Sequence, residues 1–284
     1  MIPYFKSLSR LLVIALTAIG LIGVVFSSSA MADEDDEREM KAEHHYNRAI
    51  RFAQRGKNES AFKEFEKAVP YMSEDPDLYY NLVTFGFERR EWSKVALYGA
   101  GYLFMSEDPE ETKEVARKVQ SAHKYLRKYK GSVEKVTFKL QPKGTTIFVN
   151  HVPVARAGKG YVMLPVDTYK ATAKEEDYHP WSRKFEVRKG ESVKIKDKMK
   201  AIVYHGMLKI VTEPAEGVQV LIDGKKFGVT PLDKPIKLQT RRYLVRFEKE
   251  GYDFWHRYVD IDRDATYELT PVMEIEGYEP PEDE

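Results

Sequence analysis

Apolar and small residues between positions 42 and 130 recur at helical spacing. They form two groups: Ala49, Ile50, Phe52, Ala53, and then Ala61, Phe62, Phe65, Ala68, Val69. Gly56 lies between the groups, where a turn between two antiparallel helices would fall. The pattern therefore predicts a helix hairpin.

A second hairpin and a terminal helix are predicted after the first. The segment Met-Ser-Glu-Asp-Pro at 72–76 returns 33 residues later at 105–109. Between the two segments, apolar and aromatic residues occupy helical positions: Tyr80, Val83, Phe87, Trp92, Ala96 and Ala100. A further helix from Glu110 to about Tyr129 begins with Pro109 and acidic residues, as helix starts often do. Its apolar stripe is Val115, Val119, Ala122 and Leu126, and we expect this helix to cover the end of the stack.

The helical segment resembles the tetratricopeptide repeat family. The matching order of small, aromatic, turn and small residues is Ala49, Phe52, Gly56, Ala61, Phe65, Ala68, with Pro76 in place of the closing proline. The second copy lacks the turn glycine and has Leu103 where the family has alanine. This resemblance implies a short helical array whose groove binds a protein partner. The candidate partner-binding residues are Tyr79, Tyr80, Phe87 and Trp92, and the alternative is that each belongs to the helical core.

From 131 to 273 the pattern changes to short strand-like runs. Residues 208–210 and 218–222 are two such runs, and the second leads into Asp223-Gly224. Asp-Gly between apolar runs predicts a hairpin, because both turn positions need positive φ. Further strands are expected at 243–247, about 258–261 and about 265–269. The regular spacing of turns predicts a small antiparallel β-sandwich.

This β region contains two related copies. Matching positions lie 74 residues apart: Tyr169/Tyr243, Tyr178/Tyr252, Trp181/Trp255, Arg183/Arg257, Phe185/Val259 and Ile195/Leu269. The repeated residues are mostly apolar and aromatic, and they include no set of nucleophile, base or metal ligands. A duplication of this kind indicates copied packing, so we expect a binding or scaffolding protein.

The second copy resembles the PEGA domain family. Three ordered segments match: Glu-Pro-Ala-Glu-Gly-Val at 213–218, Ile-Asp-Gly to Thr-Pro-Leu at 222–232, and Lys-Glu-Gly-Tyr at 249–252. The first copy keeps Pro142, Gly144 and the runs at 147–150 and 176–178, but it reads His-Val-Pro-Val at 151–154 where the second has its Thr-Pro-Leu segment. The resemblance implies β-sandwich modules of a bacterial envelope or surface protein, and it implies no enzymatic activity. Function must still be argued from a site.

Several motif residues have structural tasks. We expect Gly224 and Gly228 to adopt positive φ, and Pro231 to fix the entry to the next segment. Trp181 and Trp255 are candidates for binding a glycan or an anionic surface, because an indole ring can stack on a sugar. The alternative is that both rings cover the core or a sheet edge.

The N-terminal residues have the organisation of a secretory signal. Lys6 and Arg10 precede an uncharged run of 16 residues, Leu11 to Phe26, which is followed by small residues up to Ala32. We expect cleavage between Ala32 and Asp33. The alternative is an uncleaved inner-membrane anchor, but the run is shorter than the roughly 20 residues that a membrane-spanning helix needs. The chain has 0 Cys, so we expect neither a cysteine-linked lipid anchor nor a disulfide in this exported, periplasmic or envelope protein.

Charge is unevenly distributed. The formal net charge of +1 becomes −1 after the predicted cleavage, so we expect no binding to nucleic acid. Residues 131–200 contain 15 Lys and Arg against 8 Asp and Glu, whereas residues 206–273 contain 11 of each kind. Two interpretations stay open: an ordinary solvated strand surface, or a surface that meets a cell-wall or other anionic envelope polymer.

No catalytic, metal or cofactor motif is recognisable. Adjacent positions such as His44 and His45 diverge on a helix, and no His-Glu-x-x-His sequence occurs. The glycine-rich segment 224–230 superficially resembles a phosphate loop, but it lacks the Lys before Thr. We therefore expect a protein that is not an enzyme and holds no cofactor or metal.

These observations predict an α-then-β multidomain chain. The predicted parts are a signal peptide (1–32), an acidic linker (33–41), a tetratricopeptide-like helical domain (42–130), a first PEGA-like domain (131–200), a linker (201–205), a second PEGA-like domain (206–273) and an acidic tail (274–284). The short linker predicts a fixed arrangement of the two β domains. The expected function is that of an exported adaptor. The alternatives are a glycan-binding protein and a regulatory appendage of an enzyme complex.

Overall fold

The computed structural model describes residues 28–277, in which helices come first and strands follow. The chain divides into two compact units. The helical unit ends at Val133 and also includes residues 151–153, whereas the β unit consists of 134–150 and the residues from 154 onward. The predicted signal peptide, up to residue 27, and residues 278–284 of the predicted acidic tail lie outside the described residues.

The helices form two hairpins and a terminal helix, as predicted. Their bounds are α1 (Ser28–Gln54), α2 (Asn58–Ala68), α3 (Pro76–Glu88), α4 (Trp92–Met105) and α5 (Pro109–Tyr125), with a π-helical turn at Leu126–Lys130. Gly56 joins α1 to α2 with a φ of 68°, a left-handed conformation that glycine adopts without strain. Among residues 28–277, no helix is long and apolar enough to span a bilayer.

The repeated Ser-Glu-Asp-Pro segment starts two of these helices. The carboxylate of Asp75 accepts hydrogen bonds from the backbone N–H groups of Asp77 and Leu78 at 2.8 and 3.4 Å. Asp108 caps α5 in the same way, and in both helices a proline occupies the first position. Because this combination satisfies free N–H groups and fixes φ, the repeated segment acts as a helix start signal.

The acidic segment 33–41, which the sequence predicts as a linker, has helical backbone as part of α1. The predicted cleavage site between Ala32 and Asp33 also falls on this helix. Glu37 and Lys41 form an ion pair of 2.7 Å one turn apart, and Arg38 donates to the carbonyl oxygen of Pro70. These polar contacts support a helix where the sequence has no apolar periodicity.

The core of the helical unit includes the predicted stripe of the terminal helix. Val115, Val119, Ala122 and Leu126 are all buried. The hairpins supply further buried apolar residues, among them Phe62, Phe65, Leu78, Leu82, Val83, Val95 and Ala96. Gly99 of α4 permits a close approach, because a Cβ there would lie 2.1 Å from Cγ2 of Val119.

Fourteen strands follow between residues 133 and 269. The first β module contains β1 (Val133–Gln141), β2 (Thr146–Val149), β3 (Val152–Arg156), β4 (Val162–Pro165), β5 (Asp167–Ala173), β6 (Trp181–Val187) and β7 (Val193–Lys198). The second β module contains β8 (His205–Ile210), β9 (Gln219–Ile222), β10 (Lys225–Val229), β11 (Ile236–Gln239), β12 (Arg242–Glu248), β13 (Trp255–Asp260) and β14 (Thr266–Leu269).

The two modules have the same topology. The first has sheets of order β4-β1-β7 and β3-β2-β5-β6, and the second has β11-β8-β14 and β10-β9-β12-β13. Each strand of the first module therefore has its counterpart seven strands later. The backbone bonds that close each module also recur at the 74-residue spacing: His179 to Lys200 and Ile202 to Asp177, then Asp253 to Glu274 and Glu276 to Gly251.

The expectation of purely antiparallel sheets needs a correction. β1 pairs with β7 in parallel, and β8 pairs with β14 in parallel. The alternation of inward and outward side chains is the same in both kinds of pairing, so the sequence pattern cannot distinguish them. The other pairings given by register are antiparallel, as in β12 with β13.

The second module has one hydrophobic core to which both of its sheets contribute. The three-stranded sheet supplies Leu208, Ile210, Ile236, Leu238 and Leu269, and the four-stranded sheet supplies Val220, Ile222, Tyr243, Val245, Phe247 and Val259. The predicted Asp223-Gly224 hairpin is confirmed, since φ is 49° and 76° at its two turn positions. Gly228 differs from expectation: it lies at a β-bulge in the β9–β10 ladder and has no left-handed φ.

Candidate functional site

The four candidate aromatics of the helices divide into a buried and a partly exposed set. Tyr79 is fully buried, and its hydroxyl donates to the carbonyl oxygen of Ser73 at 3.1 Å. Burial, followed by the charge of Asp75, raises the pKa of this phenol above its ordinary range. Tyr79 is therefore a core residue, and the structure removes it from the candidate binding surface.

Tyr80 is half-buried in a polar cluster between α3 and α5. Its hydroxyl donates to Glu114 at 3.1 Å, and Nζ of Lys118 lies 5.7 Å from its ring centroid. Lys118 also forms an ion pair of 2.7 Å with Glu114. Burial, followed by the hydrogen bond to Glu114, raises the pKa of Tyr80 to about 12. The phenol is thus a neutral hydrogen-bond donor that holds the two helices together.

Phe87 and Trp92 belong to a continuous row of rings. The centroid of Trp92 lies 5.4 Å from that of Phe87 and 5.1 Å from that of Tyr125, and Tyr125 lies 4.9 Å from Tyr129. Phe87, Trp92 and Tyr125 are half-buried, whereas Tyr129 is 61% exposed. We call these four residues the aromatic row. Sequence reasoning missed Tyr125 and Tyr129, although their spacing of four residues places both on one helix face.

The aromatic row has properties of a protein-binding surface. Rigid rings bury a large area with little loss of side-chain entropy, and aromatic residues are enriched at binding hot spots. Nζ of Lys128 lies 4.8 Å from the centroid of Tyr129 and adds a cation beside the most exposed ring. The row offers contact area and one nearby charge, which suits recognition more than chemistry.

Trp181 and Trp255 occupy equivalent positions but have different partners. The indole N–H of Trp181 donates to Asp197 at 2.9 Å, and Arg183 lies 3.8 Å from the same carboxylate. The bond from Trp181, followed by that from the Lys198 amide, holds the pKa of Asp197 below its ordinary value. Trp255 instead packs on the core of its module, with its centroid 5.5 Å from that of Phe247.

The outer side of the β4-β1-β7 sheet carries a row of exposed lysines. They are Lys139 on β1 and Lys194, Lys196 and Lys198 on β7, which we call the lysine face. Lys139 and Lys196 are direct neighbours in the register of the two strands. Phe138 of β1 pairs with Ile195 of β7, and the equivalent pair in the second module is Ile210 with Leu269. These two pairs align the two sheets. Under this alignment the four lysines correspond to Val211, Glu268, Thr270 and Val272, so the second module has no lysine at these positions.

The titratable groups offer no recognisable metal centre. Among residues 36–277, no group of three or more His, Asp or Glu side chains is placed to hold a metal ion. The rings of His44 and His45 have centroids 5.3 Å apart in an edge-to-face arrangement. His45 is committed to the carboxylate of Glu64, with 2.9 Å between Nδ1 and Oε2.

Comparison with known proteins assigns the second module. Residues 205–278 match the PEGA domain. In the Thr-Pro-Leu segment of this domain, the threonine has a structural role that was not predicted from the sequence. Thr230 is buried, its hydroxyl oxygen accepts the backbone N–H of Val218 at 3.2 Å, and it lies 3.2 Å from the hydroxyl of Thr212. The threonine thus satisfies a backbone group at the start of β9, where the ladder leaves it unpaired.

No curated protein matches the chain in sequence. Among solved structures, the Bacillus anthracis TIE protein is 16% identical, with 50% of this chain and 34% of that chain covered and a TM-score of 0.35. The minor pilin GBS52 of Streptococcus agalactiae is 15% identical over 44% of this chain and 68% of its own, with a TM-score of 0.23. A putative adhesin of Bacteroides ovatus is 13% identical over 55% and 96% of the two chains, with a TM-score of 0.20. The chain spans about a third of the TIE protein chain.

Proposed function

We propose that this chain is a non-enzymatic exported adaptor whose helical unit binds a protein partner through the aromatic row. The observation that carries this proposal is the row itself, in which partly exposed rings from α3, α4, α5 and the π-helical turn contact one another in sequence. An isolated ring on a helix is ordinarily core, whereas a row that ends in an exposed tyrosine leaves a surface for a partner.

The helical unit is, in this proposal, a short tetratricopeptide-like array. Its support is the two hairpins and a terminal helix whose apolar stripe is buried. The buried repeat positions are Ala49, Ala61, Phe65 and Ala68 in the first hairpin and Val83 and Ala96 in the second. An array of two repeats presents a short binding surface, so recognition depends on a few strong contacts.

The β unit supplies two PEGA-like sandwiches that act as envelope-associated spacer or binding modules. The second module carries the family match, and the first shares its strand order and its closing backbone bonds. We infer an extracellular, periplasmic or envelope location from the PEGA domain together with the predicted signal at 1–32. The uncleaved anchor stays the alternative.

Affinity capture from the native cell envelope tests the adaptor function. The full chain should retain one specific protein, and Tyr129→Ala should reduce its recovery by about tenfold, as loss of a binding hot spot does. Tyr161→Ala is the matched control, because Tyr161 is also an exposed tyrosine, at 58%, but lies in the β unit. Equal recovery with both variants, or no specific protein with the full chain, would contradict the proposal.

The lysine face favours a second candidate function, binding to an anionic wall polymer by the first module. Four exposed lysines lie on one sheet face whose counterpart in the second module has none at the same positions. Such binding should weaken as salt screens the charges. Retention on isolated wall polymer should fall with Lys196→Glu plus Lys198→Glu and persist with Lys225→Glu plus Lys226→Glu, an equal charge change on β10. If the chain is not retained on the polymer at low salt, this candidate function is wrong. If retention is unchanged with Trp181→Ala, the lysines bind the polymer without a contribution from Trp181.

A further inference from the structure

An open groove runs along α1 and α2 of the helical unit. It has a volume of about 630 Å³, and its lining includes Arg48, Phe52, Ser60, Lys63, Lys67 and Tyr98. A second depression of about 400 Å³ shares Arg48 and Phe52 and adds His44, Arg51 and Arg55. We call these two depressions together the basic groove. None of its lining residues belongs to the aromatic row.

Three arginines of α1 lie on one side of the basic groove. Arg48, Arg51 and Arg55 are spaced by three and four residues, so their side chains project from the same helix face. All three are exposed. Among residues 36–277, Arg51 and Arg55 form no ion pair, so their guanidinium groups are available to an external anion.

The acidic residues that line the groove, Glu64 and Glu66, each form an ion pair with a lysine of the helical unit. Glu64 is buried and lies 2.9 Å from Nζ of Lys67. Glu66 lies 2.7 Å from Nζ of Lys94 and accepts a hydrogen bond of 2.9 Å from the hydroxyl of Tyr98. Glu64 also lies 3.8 Å from Nε of Arg48. Arg51 and Arg55 have no acidic partner among residues 36–277, and their side of the groove therefore presents a positive surface.

The floor of the groove is aromatic. Phe52 is half-buried, and the guanidinium carbon of Arg48 lies 5.6 Å from its ring centroid. The largely buried Tyr98 also lines the groove. A ligand that fits this groove combines negative charges for the rim with an apolar side chain for the floor.

We propose that the basic groove binds an acidic segment of a protein partner, in which Asp and Glu side chains flank one aromatic or aliphatic residue. Guanidinium groups pair with carboxylates through two parallel hydrogen bonds, and the apolar residue packs on Phe52. The inference rests on the proposed function in that the occupant is a protein, but it uses a different surface from the aromatic row.

Binding of a short fluorescent peptide of Asp and Glu around one Phe, followed by anisotropy with the full chain, tests the inference. Arg51→Glu plus Arg55→Glu should weaken binding by at least about tenfold, since two charge-assisted contacts are lost and reversed. Arg117→Glu plus Arg127→Glu is the matched control, with the same charge change on exposed arginines of α5 and the π-helical turn. The control should stay within about twofold of the unmodified chain, because those arginines lie outside the groove. Unchanged circular dichroism of both variants excludes unfolding as the cause.

The inference would be overturned by equal binding of a peptide that has Lys in place of Asp and Glu, or by an equal loss of peptide binding with the control variant. It would also be overturned if anionic vesicles or polysaccharide displaced the peptide and their own binding depended on the same two arginines. Failure here is distinguishable from failure of the proposed function. If the peptide does not bind while capture of the partner still depends on Tyr129, the groove proposal is wrong and the adaptor proposal is supported. If the peptide binds as expected while Tyr129→Ala does not change capture, the aromatic-row proposal is wrong and the groove proposal is supported.

Discussion

At the residue scale, buried polar groups in this chain have specific partners. Glu64 is 4% exposed and contacts three cationic or potentially cationic side chains, at 2.9 Å for Lys67 and His45 and 3.8 Å for Arg48. Burial by itself raises the pKa of Glu64, but the hydrogen bonds from Lys67 and His45 outweigh it and hold the pKa below its ordinary value. The folded state therefore favours the ionised carboxylate.

Glu64→Gln should lower the free energy of unfolding by about 2 kcal/mol near neutral pH, the range of a hydrogen bond to a charged group. A lowered folded pKa adds stability above the ordinary Glu pKa of about 4.3 and loses it as the pH falls through the folded value. Urea unfolding across this pH range should therefore show a flatter acid limb for the variant. The control Glu59→Gln changes an exposed residue of the same helix and should leave the free energy of unfolding almost unchanged. An acid limb as steep as that of the unmodified chain would contradict the assignment.

The buried hydroxyl of Thr230 gives a second prediction at this scale. Thr230→Val keeps the shape of the side chain but leaves the N–H of Val218 without its acceptor. An unsatisfied buried donor costs about 1–3 kcal/mol, so thermal unfolding should shift downward by several degrees. Thr266→Val, at an exposed position on β14, is the control and should have almost no effect. Equal melting temperatures for the two variants would show that the hydroxyl network is not important for the PEGA domain.

At the element scale, the packing of α4 against α5 depends on a glycine. A Cβ at Gly99 would lie 2.1 Å from Cγ2 of Val119, whereas a Cβ at Gly86 would lie 3.2 Å from its nearest side-chain atoms. Val119 is buried and β-branched, so its side chain has little freedom to move aside.

Gly99→Ala should therefore destabilise the helical unit by about 1–3 kcal/mol through overpacking, despite the better helix propensity of alanine. Gly86→Ala gains the same propensity with a looser contact and should be clearly less destabilising. Chemical denaturation monitored by far-ultraviolet circular dichroism would measure both variants. If Gly99→Ala is as stable as Gly86→Ala, the two helices do not pack as closely as described.

An element can be predicted from the sequence when the residues that determine it lie close together in the chain. The hairpins around Gly56 and Asp223-Gly224 were predictable, because glycine and aspartate at positive φ interrupt clear apolar patterns. The start of α1 at Ser28 was not, because the polar contacts of residues 36–41 are an ion pair and a hydrogen bond to Pro70, neither of which gives an apolar pattern. The parallel pairing of β1 with β7 was also not predictable, since it depends on contacts between residues distant in sequence.

In the candidate site, too, local patterns were predictable and contacts between distant residues were not. Tyr79 and Tyr80 are adjacent in sequence and both suited a binding surface, but a turn of about 100° per residue on the helix buries one and half-exposes the other. Phe87 and Trp92 were candidates, and their rings are in contact on the second hairpin. Tyr125 and Tyr129 join them only through the packing of the terminal helix, which a single sequence does not specify.

At the scale of the whole molecule, the two β modules share their strand order but differ in their outer faces. The strand order and the closing backbone bonds are common to both, whereas the lysine face has no counterpart in the second module. Tyr204, between the modules, has its ring 3.9 Å from the guanidinium carbon of Arg263. Burial, followed by a hydrogen bond to Asp177, raises the pKa of this tyrosine.

Tyr204 therefore contacts both modules, and its loss should loosen their arrangement. Small-angle scattering of the full chain should show a broader distribution of interatomic distances for Tyr204→Ala, because the cation–π contact and the hydrogen bond are both removed. Val203→Ala, at the exposed neighbouring position, should leave the distribution unchanged. A broad distribution already present in the unmodified chain would contradict the predicted fixed linker.

Site-specific photo-crosslinking in cells that naturally make this chain tests whether the aromatic row binds a protein partner. A photoreactive residue at position 129, at the exposed end of the aromatic row, should give one discrete protein adduct, and the same residue at position 258, where Tyr258 is 63% exposed on the second module, should not. That result would establish the helical unit as the recognition element of an adaptor. The account would be contradicted by no protein adduct from position 129, or by the same adducts from both positions.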